Sequence, residues 1–84
     1  MKPKINDIIY IIYRNSISQE KVYMLGETEF IHGNAFNEIY NSGYRSPLKY
    51  DEYNTCWFKT LKEAKAYLGG KIKKIDDGYW EPEN

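Results

Sequence analysis

His32 and Cys56 are the only histidine and the only cysteine of the chain, so any nucleophilic or metal chemistry would have to be built around one of each. A histidine-based triad needs a nucleophile and an orienting carboxylate beside the imidazole, and no nucleophile-elbow pattern marks a Ser, Thr or Cys for that role. His32 therefore reads as a strand-end residue partly satisfied by backbone groups. A lone cysteine leaves no intrachain disulfide and no cysteine-based zinc site, and Cys56 reads as a buried thiol packing like a small hydrophobe. The acid pairs Asp51-Glu52 and Asp76-Asp77 could serve acid–base work or a hard cation. Adjacent acids in a strand or turn point apart, however, and no calcium-loop spacing surrounds them, so solvated turns are expected. Gly69-Gly70-Lys71 follows a helical pattern instead of opening one, which is the wrong end for a phosphate. No catalytic site, no metal and no cofactor is predicted.

Binding chemistry is better represented. The chain carries nine tyrosines, three phenylalanines and two tryptophans. Tyr40, Tyr44, Tyr50 and Tyr53 fall in a stretch rich in Asn, Ser, Gly and Pro that also holds Arg45 and Lys49. Tyr and Arg in an adaptable loop offer large contact area at low rotamer cost, with a polar tip to orient it. The same rings could instead close a thin core, and both roles stay open. Lys59, Lys62, Lys65, Lys71, Lys73 and Lys74 make a basic run, read first as a solvated helix face and a protected edge strand. Its alternative role is a phosphate-binding patch. The tail from Asp76 to Glu83 is acidic and carries Tyr79 and Trp80; it could dock on those lysines or enter a basic groove of a partner. Tyr40, Tyr44, Arg45, Tyr50, Tyr53 and Trp80 are thus the candidate partner-binding residues, and the lysine run is the nucleic-acid alternative.

Twelve basic and twelve acidic residues cancel, so no global field drives the chain to nucleic acid or an anionic membrane. No segment approaches the roughly 20 apolar residues needed to span a bilayer, and Met1-Lys2-Pro3-Lys4 leads into an apolar run too short for a signal peptide. One domain over residues 1–84 in a reducing cytoplasm is expected.

The elements that must position these side chains are mostly strands. Ile8 to Tyr13 is β-branched or aromatic throughout and does not alternate, which means that both faces are covered or that one carries an apolar binding surface. Asn15-Ser16 supplies a turn, Glu20 to Leu25 a second strand ended by Gly26, and Thr28 to His32 a third. Phe36, Ile39 and Tyr40 suit one or two helical turns, stopped at Asn41-Ser42-Gly43. Pro47 bars a central strand nearby. Thr55 to Phe58 is a strand running into a helix over Leu61 to Leu68, with Thr60 as N-cap, Glu63 completing a capping box and Gly69 as a left-handed C-cap. Lys71 to Ile75 is an edge strand, and Tyr79-Trp80 folds back after the Asp76-Asp77-Gly78 turn. The fold class is α+β: a small curled antiparallel sheet, SH3-like, of about four or five strands with one helix in the C-terminal half.

Asp7-Ile8-Ile9-Tyr10, Lys21-Val22-Tyr23 and Phe58-Lys59-Thr60 with Glu63-Ala64 resemble small proteins of bacteriophages and Gram-positive bacteria. Those build an SH3-like curled sheet and append a helix of the form Phe-x-Thr-x-x-Glu-Ala. The resemblance implies a non-catalytic accessory protein that binds a host protein or protein–nucleic-acid complex, for example as an inhibitor of a CRISPR nuclease. The same Phe58 to Ala64 signature is similar to the end of the arm-type DNA-binding domain of tyrosine integrases, which lays a three-stranded sheet in the major groove. That resemblance implies a DNA- or RNA-binding module, but Arg14 and Lys21 stand against Glu20, Glu27 and Glu29 on the expected strands, where phosphate partners are needed.

Overall fold

The computed structural model describes residues 2–34 and 47–83. Tyr40, Tyr44 and Arg45, and the helical turns expected around Phe36 to Tyr40, lie outside the described residues. Within them the chain forms one curled antiparallel sheet of seven strands and one α-helix. The strands are β1 (Ile8–Tyr13), β2 (Ser16–Leu25), β3 (Glu29–Asn34), β4 (Leu48–Lys49), β5 (Trp57–Phe58), β6 (Ile72–Asp76) and β7 (Tyr79–Pro82), with α1 (Leu61–Leu68) between β5 and β6. The count exceeds the expected four or five because β4, two residues long, is too short to carry a pattern, and because the acidic tail itself becomes β7, while β5 is the shortened form of the strand expected over Thr55 to Phe58.

The order β4-β3-β2-β1-β5 is extended by the β6–β7 hairpin, which joins through β2. β2 is ten residues long and divides its outer edge: Ile17 and Ser18 pair with β7, and Glu20 to Leu25 pair with β3. That division curls the sheet. The turn from β1 to β2 is Arg14-Asn15, one residue earlier than expected, with Tyr13 opposite Ser16. Both turn residues are left-handed, at φ +50° and +67°, the signature of a type I′ hairpin whose twist matches its strands.

β1 explains its own lack of alternation. Ile9 and Ile11 face inward with Val22, Phe30 and Trp57, and Leu48, Tyr50 and Tyr53 close that cluster at its margin. Tyr10 and Ile12 face the other way and pack against a second cluster of Ile17, Phe58, Ala64 and Trp80, together with Leu61, Leu68 and Ile72. Both faces are covered, the first by the curl of the sheet itself and the second by α1 and the hairpin. β5 repeats the device with Trp57 in one cluster and Phe58 in the other.

The joint into α1 forms over the expected residues. Thr60 is extended and its hydroxyl oxygen accepts the Glu63 N–H at 3.1 Å. The same hydroxyl donates to Glu63 Oε1 at 2.8 Å, and Tyr53 donates its phenol to Glu63 Oε2 at 2.9 Å. The capping carboxylate is therefore held mainly by two hydroxyls. At the other end Gly69 caps by giving its N–H to the Lys65 carbonyl, but at φ +73° and ψ +168° it lies in a region reserved for glycine, not in the expected left-handed helical well.

Because one hydroxyl both accepts and donates here, Thr60→Ala is expected to destabilise the domain by about 0.5–2 kcal/mol and Thr60→Ser much less. Thermal melts check this, and equal losses for the two changes would mean that the hydroxyl is not the cap.

Candidate binding surface

Three of the candidate binding rings fall among the described residues, and each packs against the core. Tyr50 stacks on Phe30 with centroids 5.7 Å apart, and its phenol donates to the Gly26 carbonyl at 2.7 Å. The Lys2 ammonium covers the ring 5.3 Å from its centroid. Tyr53 packs on Trp57 at 4.8 Å and spends its hydroxyl on Glu63. Trp80 is only 8% exposed, lies opposite Ile17 and meets Tyr10 edge-on. It is a core residue, and the tail that carries it docks on its own domain. A small domain with few aliphatic side chains uses rings to close its clusters, and these three serve that end.

The lysine run is divided by the fold. Lys59 and Lys62 are exposed and Lys65 is half-buried on the α1 side. Lys71, Lys73 and Lys74 lie on the β6 side of the hairpin, where Lys73 is opposite Glu81 and Lys74 Nζ meets Asp77 Oδ1 at 3.0 Å. The Lys71 carbonyl accepts the Glu83 N–H. The tail thus places acids beside half of the basic run, which flattens the field a phosphate backbone would need.

The groups with chemical potential are committed to structure. His32, expected as a strand-end residue held by backbone, is 2% exposed, and its Nδ1 lies 2.5 Å from Oε1 of Glu20, itself 1% exposed. Glu20 is opposite Ile9 and His32 opposite Val22, so the pair sits on the inner face of the sheet within the first apolar cluster. A general base must reach the proton it abstracts, and neither of these groups meets solvent. Glu20 carries no sequence signal of its own; only its i, i+2 relation to Val22 puts it on the inward face. Cys56 is half-buried and donates to Glu52 Oε2 at 3.3 Å. Burial first, and the carboxylate second, push this thiol above its usual range, which disfavours the thiolate a nucleophile needs. Glu52, expected as a solvated turn acid, instead accepts the Lys49 N–H and the Cys56 thiol, which hold its carboxyl below the usual range. Among the described residues no three His, Cys, Asp or Glu side chains gather to hold a metal ion, and no helix is long and apolar enough to cross a membrane.

Among the described residues, one surface open to a partner is the tip of the β1–β2 hairpin, which the sequence pattern did not single out. Tyr13 is 64% exposed, and the Arg14 guanidinium lies over its ring at 5.3 Å. Among the described residues no carboxylate pairs with Arg14. Left-handed backbone costs a residue with a Cβ roughly 1–2 kcal/mol, which Asn or Gly would reduce, yet Arg stands there. The base of the tip is fixed by Tyr79, whose hydroxyl bridges Ser16 Oγ and Glu81 Oε2 at 2.9 Å each. Compared with family models, with curated proteins and with solved structures, the chain matches none.

Two outcomes follow from these contacts. Removing one member of a buried acid–imidazole pair takes from the other its short hydrogen bond in a water-free site, so Glu20→Leu or His32→Leu alone should cost about 3–5 kcal/mol in denaturant unfolding, while the double change costs less than the sum of the two. The Thr60 hydroxyl, and then the Tyr53 phenol, hold the Glu63 carboxyl below its ordinary range. Stability from the ionised form is then present above the ordinary carboxylate range and is lost as the pH falls through the depressed value. The difference in melting temperature between the native chain and Glu63→Gln should shrink in acid; a constant difference would mean that the charge contributes nothing.

Proposed function

We propose that this chain is a non-catalytic protein-binding domain that presents the β1–β2 tip to a host protein. The observation that carries the reading is the exposed Tyr13–Arg14 stack on a hairpin whose base is pinned. Tyr and Arg are the residue types that dominate interface energetics, and holding them rigid lowers the entropy lost on binding. A strained Arg at a turn position that Asn or Gly would fill more cheaply is what a retained binding contact looks like. The resemblance to small phage proteins supports the narrower reading of an accessory protein that modulates or inhibits its target. Nucleic-acid binding through Lys59 to Lys74 has less support, because acids of the tail lie beside half of that run.

Affinity capture from host lysate, with and without nuclease, tests this. The native chain should retain one protein after nuclease, and Tyr13→Ala and Arg14→Asn should lose it. Arg14→Asn should at the same time keep or raise stability, by up to about 1 kcal/mol, because the turn strain is relieved. Loss of every partner on nuclease treatment, or unchanged capture by both variants, would contradict the reading.

A further inference from the structure

Resting on the reading of the hairpin tip as the contact surface, we infer that Tyr79 is its positioning residue: the phenol holds the Glu81 carboxylate and so keeps it off the Arg14 guanidinium. The register puts these groups on one side of the sheet. Ile17 lies opposite Ile12 and Trp80, and all three pack in the second cluster. Their neighbours Tyr13, Ser16, Tyr79 and Glu81 share the other side, because successive side chains of a strand alternate. Tyr13 is opposite Ser16, and the β2–β7 register carried one residue past Ile17 brings Ser16 alongside Glu81. The step from Tyr13 to Glu81 is thus two strand spacings, roughly 10 Å, a gap that extended Arg and Glu side chains close between them.

The hydrogen bonds at the base of the tip run in one direction. A phenol has a single proton and a carboxylate only accepts, so Tyr79 donates to Glu81 Oε2 and accepts from Ser16 Oγ, each at 2.9 Å. Glu81 is half-buried, and this is the one side-chain hydrogen bond its carboxylate makes among the described residues. Lys73 stands opposite Glu81 on β6, yet among the described residues the two form no ion pair. Without the phenol proton the half-buried carboxylate loses its partner, a cost it recovers by taking a cation. The Arg14 guanidinium rests one face over Tyr13 at 5.3 Å and offers parallel N–H groups in its own plane. It therefore holds a carboxylate bidentately, which the point charge of Lys73 does not. Glu83, two residues further on, is exposed and gains little from such a pair. Once Glu81 takes the guanidinium, the tip no longer presents it to another protein.

Tyr79→Phe removes the hydroxyl and keeps the ring on the sheet. In NMR spectra of the full chain, the Arg14 Nε–H signal should move downfield in this variant. It should also exchange with water at least about fivefold more slowly than in the native chain, as a paired guanidinium does. Adding Glu81→Gln to Tyr79→Phe should return both readings to native values, because an amide does not hold a guanidinium as a carboxylate does. In the lysate capture, Tyr79→Phe should retain less of the protein that the native chain keeps after nuclease, and the added Glu81→Gln should restore it. A merely structural Tyr79 would not be rescued by a change at Glu81. An Arg14 signal that Tyr79→Phe leaves in place overturns the inference, as does one that moves and stays moved in the double variant. Both readings need no partner, so they stand apart from failure of the tip as a contact surface, which shows as capture unchanged by Tyr13→Ala and Arg14→Asn.

Discussion

The structure depends on one constraint: β1 must be buried on both faces at once. Ile9 and Ile11 are 1% and 7% exposed in one cluster, and Tyr10 and Ile12 lean into the other. Each fully buried large apolar side chain is worth roughly 1.5–3 kcal/mol, and an 84-residue chain has few of them to spend on separate layers. Threading one strand between two clusters lets the same backbone organise both. The curl of β2, the placement of α1 over Phe58 and the return of β7 onto Ile17 all serve to cover what β1 presents.

This economy decides what is left for binding. Rings that resemble interface residues in the sequence are drafted to seal the margins: Tyr50 over Phe30, Tyr53 against Trp57, Trp80 under the hairpin. Their hydroxyls and indole nitrogens are used in the same way, as in the Trp57 Nε1–H bond to the Lys49 carbonyl at 3.0 Å. Even the acid–imidazole pair of Glu20 and His32 is enclosed between β2 and β3. Among the described residues, exposed surface is left where the cover runs out, as at Tyr13 on the hairpin tip.

The local structure was legible where a residue type acts on its immediate neighbours. Thr60 with Glu63, the helix from Leu61 to Leu68 and the unbroken Ile8 to Tyr13 strand follow from spacing and β-branching alone. The two-residue strand Leu48–Lys49 carries no period and owes its pairing to β3. The turn fell one residue early because Arg14 accepts a backbone that its type disfavours. The bulge at Tyr23 inverts the side on which Met24 stands, and nothing in Val22-Tyr23-Met24-Leu25 announces it. The site was least legible of all: the partners of Tyr53, Glu20 and Trp80 lie 10, 12 and 63 positions away in sequence, joined only by the sheet.

Native-state hydrogen exchange tests the double burial of β1 most directly. If one strand organises both clusters, the amides of Ile9 to Ile12 should exchange only by global unfolding, and their protection should fall equally when either cluster is weakened, by Ile11→Val on one side or Ile12→Val on the other. Exchange of the β1 amides by a lower-energy local opening, while those of β3 or the β6–β7 hairpin stay protected, would contradict the account.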